Sequence, residues 1–304
     1  MKFYSDEKKR SWSRRNVLKT GMLSVTAGAV SPVVKARAEG NAPKNMHVSL
    51  AAYSMRDAMK DGSMDLFSFI DWCAELDLAG TELTSYYFKE GFDKRYLHEL
   101  KRRAFDNGVT VSGTAVGNNF CLPSGPAKQK EIDHVKQWID YSVEFSAPHI
   151  RIFAGNLPKG VDKQTGIKQA ADGIRECLDY AAERGIYLGL ENHGGITALV
   201  EDHLAICDAV GEHPWFGVNL DTGNYRTNPY EDLAMAAPRA VNVQIKVEVF
   251  KPDGATVLAD LSKFRDIRVK ADYKGWVALE YVAEGDPRKE IPMYIRQLKE
   301  LFEG

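Results

Sequence analysis

From residue 47 onward, short apolar runs alternate with longer stretches in which apolar residues recur at helical spacing, and polar turns separate the two. The runs are four to seven residues long, rich in β-branched and aromatic residues, and mostly apolar at successive positions. Such runs are typical of strands that are buried on both faces. The eight runs are His47–Tyr53, Gly80–Leu83, Thr110–Ala115, His149–Phe153, Tyr187–Leu190, Phe216–Leu220, Val241–Ile245 and Trp276–Leu279.

The stretches between these runs predict helices, because their apolar residues repeat every three or four positions. Ser63, Asp93 and Asp286 are the expected N-caps, and Asn107-Gly108 and Gly185 are the expected stops. The predicted helices are Leu66–Leu76, Asp93–Asn107, Ala127–Phe145, Thr165–Arg184, Thr197–Val210, Tyr230–Ala236, Ala259–Ala271 and Pro287–Phe302.

A strand followed by a helix, eight times within about 260 residues, is the pattern and size of a (β/α)8 barrel. The competing α/β class is an open, doubly wound sheet. No G-x-G-x-x-G follows the first strand and no P-loop occurs in the 304-residue chain. The sequence therefore predicts an α/β fold with a single (β/α)8 TIM barrel.

The N-terminus departs from this pattern. Arg14-Arg15 precedes an apolar stretch of 13 residues, Met22–Val34, which leads into Ala36-Arg37-Ala38. This order is typical of a twin-arginine export signal with an A-x-A cleavage site, and the stretch is shorter than the roughly 20 residues that span a bilayer. We therefore predict an export signal at 1–38, cleavage after Ala38, and a barrel domain at 39–304 that functions in the periplasm or otherwise outside the cytoplasm. The twin-arginine export machinery is then a partner, and the mature chain has no stable membrane span.

Removal of residues 1–38 changes the charge balance. The whole chain has a net charge of −2, and the segment carries nine Lys/Arg against two Asp/Glu, so residues 39–304 retain 31 against 40, a net of −9. An acidic domain is a poor match for a phosphate backbone, so no nucleic-acid partner is expected. The four cysteines form no C-x-x-C pair and are expected to be free.

Polar or acidic side chains close four successive predicted strands, five to eight. They are Glu191, Asp221, Gln244 and Glu280, separated by one strand-helix unit each. The carboxyl ends of barrel strands form one rim, where active sites of this fold lie. Carboxylates that converge there would repel one another unless a cation lay among them, and oxygen ligands suit Mg²⁺ or Mn²⁺. As single residues, they could equally be helix caps or ion-pair partners.

These strand ends resemble those of the xylose isomerase-like sugar isomerase/epimerase barrels, over essentially all of residues 47–303. The resemblance is carried by Leu-Glu-Asn-His at 190–193, Asn-Leu-Asp-Thr-Gly-Asn at 219–224, Gln-Ile-Lys at 244–246, Leu-Glu-Tyr at 279–281, Ala-Ala-Tyr-Ser-Met-Arg-Asp at 51–57 and Gly-Thr-Glu-Leu-Thr at 80–84.

The resemblance implies one divalent metal held by Glu191, Asp221, Gln244 and Glu280, with the two glutamates exchanging protons with the substrate. One position departs from the family: strand seven usually presents His before Leu-Lys, and here that residue is Gln244. A neutral amide oxygen binds Zn²⁺ more weakly than imidazole does, which favours Mn²⁺ or Mg²⁺.

The expected chemistry is removal of a proton next to a sugar carbonyl, which gives an enediolate. His193 and Lys246 are further catalytic candidates: His193 could bind a hydroxyl or shuttle a proton, and Lys246 could stabilise the enediolate charge. Glu82, Asn118, Asn224, His193 and Lys246 are candidates for substrate binding. Structural roles remain open for both: His193 could be a packing histidine, and Lys246 could be the ion-pair partner of Glu82 or Glu248.

The leading hypothesis is thus a metal-dependent isomerase or epimerase of an unphosphorylated sugar or keto-sugar. The alternative is a lyase or hydrolase that acts on a 3-keto-sugar or keto-glycoside with the same site. An endonuclease of abasic sites and a periplasmic sugar-binding protein are less favoured. The sequence leaves open which sugar, which of these reactions, which metal, and whether the chain forms a homo-oligomer.

Overall fold

In the computed structural model, which describes residues 46–303, eight parallel strands close into a barrel with helices around it. Strand follows strand around the barrel in chain order, and the last barrel strand, β10, pairs with β1. The single (β/α)8 TIM barrel is therefore confirmed. The strands are β1 (Val48–Ala51), β2 (Gly80–Thr84), β3 (Thr110–Ala115), β4 (His149–Ile152), β5 (Tyr187–Glu191), β6 (Phe216–Asp221), β7 (Ala240–Ile245), β8 (Glu248–Phe250), β9 (Thr256–Leu258) and β10 (Val277–Leu279).

The predicted helices are present, with small differences at their ends. The helices are α1 (Arg56–Asp61), α2 (Leu66–Glu75), α3 (Lys94–Asp106), α4 (Pro126–Phe145), α5 (Lys163–Glu183), α6 (Val200–Val210), α7 (Pro229–Ala236), α8 (Leu261–Lys270) and α9 (Pro287–Phe302). Asp93 and Asp286 cap α3 and α9 as expected. The expected cap at Ser63 is wrong: Asp65 caps α2, because its carboxylate accepts the Ser68 N–H and the Ser68 side chain completes a capping box.

Two elements were not predicted. Helix α1 is only six residues long, and none of its residues is buried, so it has no apolar face to reveal it. Strands β8 and β9 form a two-stranded antiparallel hairpin outside the barrel, between β7 and α8. The hairpin follows directly on the loop that carries Lys246, and so lies beside the carboxyl-terminal rim.

The inside of the barrel is more polar than the apolar runs suggested. Leu220, Val243 and Ile245 pack outward, against residues of α7 and α8. The alternate positions are polar side chains, and all of them are buried: Asn219, Asp221, Asn242 and Gln244. Side chains on a strand alternate between its two faces, so the apolar residues that identify these strands cover only the outer face of the barrel.

The four cysteines, Cys73, Cys121, Cys177 and Cys207, are free and buried, as expected. No helix within residues 46–303 is long and apolar enough to cross a membrane. The predicted export signal at 1–38 lies outside the described residues.

Candidate active site

The predicted site residues lie at the carboxyl-terminal rim of the barrel. Glu191 and Asp221 are the last residues of β5 and β6, while Lys246 and Glu280 directly follow β7 and β10. The three carboxylates are almost fully buried, with exposed fractions of 2%, 0% and 8% for Glu191, Asp221 and Glu280. Burial of charge is costly unless the charges are paired, so the partners of these carboxylates determine what the site can do.

Lys246 reaches into the middle of this group. Its Nζ lies 2.8 Å from Asp221 Oδ2 and 3.9 Å from Glu280 Oε1, and it donates a 2.9 Å hydrogen bond to Asn224 Oδ1. Although burial opposes the charge, Asp221, Glu280 and Glu191 together raise the pKa of Lys246, so its ammonium is retained. The structure thus places a permanent cation among the carboxylates.

The loop after β6 contacts Lys246 at its main chain, its aliphatic stem and its ammonium group. Thr222 Oγ1 accepts the main-chain N–H of Lys246 at 2.9 Å, and Asn224 accepts from the ammonium. Gly223 lies under the aliphatic chain: a Cβ there would come within 2.6 Å of Lys246 Cδ and 2.9 Å of the Glu248 carbonyl oxygen. The Asp-Thr-Gly-Asn segment at 221–224 is therefore shaped around the lysine.

Glu191 is held by one ion pair and one hydrogen bond. Arg151 Nε lies 2.8 Å from Glu191 Oε2, and Asn224 Nδ2 donates to Oε1 at 2.9 Å. Arg151 is itself 6% exposed, donates from Nη1 to the Val116 carbonyl at 2.9 Å, and stacks its guanidinium 3.9 Å above the Phe153 ring. Sequence reasoning missed Arg151, although a lone arginine inside an apolar strand run was a usable signal.

His193 and Asn118 have different surroundings. The His193 ring stacks on Phe153, with ring centroids 4.3 Å apart, and part of it is exposed at the barrel mouth. Partial desolvation, with Arg151 and Lys246 nearby, lowers the pKa of His193, so the ring is neutral at pH 7. Asn118 donates to the Phe153 carbonyl at 2.7 Å and accepts its N–H at 2.8 Å. The Asn118 amide is therefore engaged by the main chain rather than presented to the site.

Asn192 is a second asparagine that fastens the rim. Its Nδ2 donates to the Asp221 carbonyl oxygen, and its Oδ1 accepts the Asp221 N–H, both at 2.9 Å. These paired bonds continue the ladder between β5 and β6 one step beyond the strands. They fix the main chain of Asp221, whose Oδ1 then accepts the Gly223 N–H at 2.8 Å.

Below the rim, four buried side chains form a closed ring of hydrogen bonds, which we name the amide ring: Glu82, Asn219, Asn242 and Gln244. Gln244 donates to Glu82 Oε1 at 2.6 Å and accepts from Asn219 Nδ2 at 2.7 Å. Asn242 Nδ2 donates to Asn219 Oδ1 at 2.8 Å and to Glu82 Oε2 at 3.2 Å, which closes the ring. Glu82 and Gln244 thus bond to each other, and Lys246 pairs with Asp221 rather than with Glu82.

The predicted metal ligands do not form a metal site in this arrangement. Glu191 Oε2 and Asp221 Oδ2 are in ion pairs with Arg151 and Lys246. Glu191 Oε1, Asp221 Oδ1 and Gln244 Oε1 accept hydrogen bonds from Asn224, Gly223 and Asn219. Within residues 46–303, no group of three His, Cys, Asp or Glu side chains is placed to hold an ion. These residues do not fit a divalent ion, and the Mn²⁺ or Mg²⁺ dependence stays a prediction.

The balance of charges leaves one proton to be shared. Three carboxylates, Glu191, Asp221 and Glu280, face two cations, Arg151 and Lys246. Burial is the main cause that raises the pKa of both Glu191 and Glu280, and their repulsion of each other and of Asp221 adds to it, while Arg151 and Lys246 oppose it. Such a pair titrates as a unit. Even with Arg151 beside it, burial raises the pKa of Glu191 to about 8, so the shared proton belongs to the Glu191–Glu280 pair as a unit.

A pocket with an aromatic wall opens beside this rim, at the ends of β1 and β2. It is lined by Tyr53, Met59, Lys60, Tyr86, Tyr87 and Phe88. Tyr86 is half exposed, whereas Phe88 packs against Trp138 with ring centroids 5.0 Å apart. An aromatic surface next to buried carboxylates suits a small polar molecule with a carbon-hydrogen face, such as a sugar.

Comparisons with known proteins show the family and the fold of the chain. Residues 70–301 match the family described as "Xylose isomerase-like TIM barrel". A D-psicose 3-epimerase from Clostridium cellulolyticum H10 has a similar structure, with a TM-score of 0.65 and 15% identity over 85% of this chain and 98% of that one. A 3-keto-D-glucoside 4-epimerase from E. coli has a TM-score of 0.64 and 13% identity over 83% and 99% of the two chains. At these identities the similarity shows the fold alone.

A curated relative has a different activity in its name. The "Probable endonuclease 4" of Haloquadratum walsbyi is 26% identical over 157 residues, which are 51% of this chain and 51% of that protein. The match thus spans about half the length of this relative.

Proposed function

Because the chain belongs to the xylose isomerase-like TIM barrel family, we propose that it is an isomerase or epimerase of an unphosphorylated sugar or keto-sugar. The observation that carries the proposal is a pair of buried glutamates, Glu191 and Glu280, that interact with each other and with the Lys246 ammonium. Two carboxylates whose surroundings separate their protonation states are typical of acid–base catalysis. Solved structures of two sugar epimerases have the same fold, which supports this reaction class.

In the proposed reaction, ionised Glu191 removes the proton from the carbon next to a sugar carbonyl. The electron pair of that C–H bond forms the carbon–carbon double bond of an enediolate, and the carbonyl π pair moves onto oxygen. The Lys246 ammonium donates a hydrogen bond to that oxygen and stabilises its charge. Protonated Glu280 then supplies a proton to the opposite face of the same carbon, and the oxygen's electron pair re-forms the carbonyl, which gives the epimer. Isomerisation instead places the proton on the neighbouring carbon, and the hydroxyl proton of the new carbonyl carbon moves to the first oxygen.

Other groups would bind the sugar. His193 presents a neutral ring at the mouth, and Asn224 bridges Glu191 and Lys246, so both lie where hydroxyls next to the reacting carbons would be. The aromatic wall with Tyr86 would cover one face of the ring. Asn118 and Glu82 act in this proposal through the groups that they hold in place, because their polar atoms are already engaged.

Two other reactions, those of a lyase and of an endonuclease, would give different products from an isomerase or epimerase. Loss of a substituent from the carbon beyond the enediolate would make the protein a lyase on a keto-sugar, with the same first step. The endonuclease in the name of the curated relative acts on a polyanion, and the −9 net charge of residues 39–304 opposes that substrate. Product analysis by NMR distinguishes isomer, epimer and elimination product directly.

The test of this function is a reaction in D₂O. We would incubate the purified protein with a panel of aldoses, ketoses and 3-keto-glycosides and follow deuterium at the carbon next to the carbonyl by NMR. We expect incorporation during turnover, because a carboxylic acid exchanges its proton with solvent before returning it. Turnover without deuterium would indicate a hydride shift, and no turnover or exchange on any sugar would contradict the proposal.

We further propose that residues 1–38 are a twin-arginine export signal and that residues 39–304 act in the periplasm. Support comes from the Arg14-Arg15 pair, the short apolar stretch and the A-x-A site. Replacing both arginines with lysine should retain the protein in the cytoplasm on cell fractionation. Export of that variant would show that the pair is not the signal.

A further inference from the structure

We infer that the Lys246 ammonium takes the place that the sequence assigns to a divalent metal, so that this active site is complete without one. The inference rests on the proposed function for its catalytic part, since it concerns the cation that stabilises the enediolate. Its structural part stands independently: it states which cation neutralises the buried carboxylates at the rim.

The contacts of the ammonium are those of a bound cation. Asp221 Oδ2 at 2.8 Å and Asn224 Oδ1 at 2.9 Å contact it directly, and Glu280 Oε1 lies at 3.9 Å. Lys246 is the only group that these carboxylates share among residues 46–303, since Arg151 pairs with Glu191 on the other side of the site. Oxygen atoms from two strand ends, those of β6 and β10, thus face one positive charge.

A divalent ion at the same point would have to break existing bonds. It requires oxygen ligands at about 2.0–2.6 Å, and it would displace the ammonium from Asp221 or repel it at close range. Gln244, the predicted neutral ligand, would also have to turn its oxygen from Asn219 Nδ2, which donates to it at 2.7 Å. Such a change would leave buried polar groups unpaired, which costs free energy for each group.

The loop after β6 fits closely around the lysine. A Cβ at Gly223 would collide with Lys246 Cδ at 2.6 Å, and Thr222 accepts the Lys246 N–H. These contacts hold the lysine stem, so the ammonium stays beside Asp221 and Asn224.

The chemistry balances with the ammonium in this role. The proton that leaves carbon goes to Glu191, the electron pair goes to the carbonyl oxygen, and Lys246 keeps all three of its protons throughout. It lowers the energy of the oxyanion by a charge-assisted hydrogen bond. The reaction therefore requires no co-reactant beyond the sugar.

The test is a Mn²⁺ titration of protein that has been treated with EDTA and dialysed. Binding would be followed by electron paramagnetic resonance for the wild type, Lys246→Met and Lys246→Arg. We expect no stoichiometric site in the wild type or in Lys246→Arg, which keeps a cation. Lys246→Met leaves Asp221 and Glu280 without their cation, and we expect it to bind Mn²⁺ at least ~10-fold more tightly than the wild type.

The outcomes separate this inference from the proposed function. One tightly bound Mn²⁺ per wild-type chain, or equal Mn²⁺ affinity in wild type and Lys246→Met, would overturn the inference, whatever the activity of the protein. Deuterium exchange that needs added Mn²⁺ would also overturn it and leave the isomerase proposal standing. Circular dichroism checks that Lys246→Met folds; if it does not, the wild-type titration alone decides.

Discussion

The barrel interior contains two polar layers, and they differ in how fully their members are paired. In the amide ring, four side chains bond to one another, and both oxygens of its one carboxyl group, on Glu82, accept from amides. At the rim above it, three carboxylates face two cations, and Glu280 is approached by Lys246 only to 3.9 Å. The side chains of the amide ring bond to one another, whereas the carboxylates at the rim remain able to interact with a substrate.

Strand β7 shows the contrast most directly, because it contributes to both layers. Gln244 and Lys246 are two residues apart and project from the same face of the chain. The Gln244 amide bonds to Asn219 and Glu82, whereas the Lys246 ammonium lies beside Asp221 and Glu280. A polar residue inside a barrel is therefore no indication of catalysis by itself; the completeness of its bonds separates a structural layer from a reactive one.

The largest effect should come from the rim. Glu280→Gln keeps the size of the side chain and removes its acid–base function, so turnover should fall by about 10²–10⁴-fold, the typical contribution of general acid–base catalysis. Its melting temperature should be maintained, because a neutral amide replaces a buried carboxyl that has no close partner. Steady-state kinetics and thermal unfolding measure the two quantities.

The matched control is Glu284→Gln, an exposed glutamate four residues further along the chain. It should change neither turnover nor the melting temperature. Full turnover in Glu280→Gln would place the proton transfer elsewhere and remove the proposed distinction between the layers.

A smaller effect, and one on stability rather than on catalysis, should come from the amide ring. Gln244→Met keeps the length of the side chain but leaves Asn219 Nδ2 and Glu82 Oε1 without these partners in a buried site. A buried polar group that loses its partner costs about 1–3 kcal/mol. The free energy of unfolding in urea should fall by that amount, while turnover changes less than in Glu280→Gln.

Gln297→Met is the control for this substitution, because Gln297 is an exposed residue of α9. It should leave the unfolding free energy unchanged. If Gln244→Met were as stable as the wild type but inactive, the ring would belong to the reactive layer and the comparison would fail.

The barrel and the position of the rim could be predicted because they depend on chain order and apolar spacing. Glu191, Asp221 and Glu280 each end or directly follow an apolar run, and parallel strands bring such residues to one rim wherever they lie in the sequence. The Asp93 and Asp286 caps follow from local hydrogen bonds in the same way. Ser63 failed because the competing Asp65–Ser68 capping box is stronger.

The pairing within the site could not be predicted, because it depends on how neighbouring strands are staggered. The partners of Gln244 lie on β2 and β6, and the stagger of both β2 and β6 shifts at irregularities, at Thr81/Glu82 and Val218/Asn219. The spacing of apolar residues along the chain does not reveal these one-residue shifts. Arg151 is a different case: its charge lies inside the predicted His149–Phe153 strand, whereas the site residues were predicted from the ends of the strands.

The close packing of Gly223 against Lys246 restricts which sequences this loop can have. A Cβ at 223 would lie 2.6 Å from Lys246 Cδ, 2.7 Å from Lys246 Cβ and 2.9 Å from the Glu248 carbonyl oxygen. The last two atoms are present whatever non-glycine residue stands at 246, so a shorter side chain there would not make room for a side chain at 223. The course of the main chain therefore requires glycine at 223, and the lysine stem fills the space that this glycine leaves.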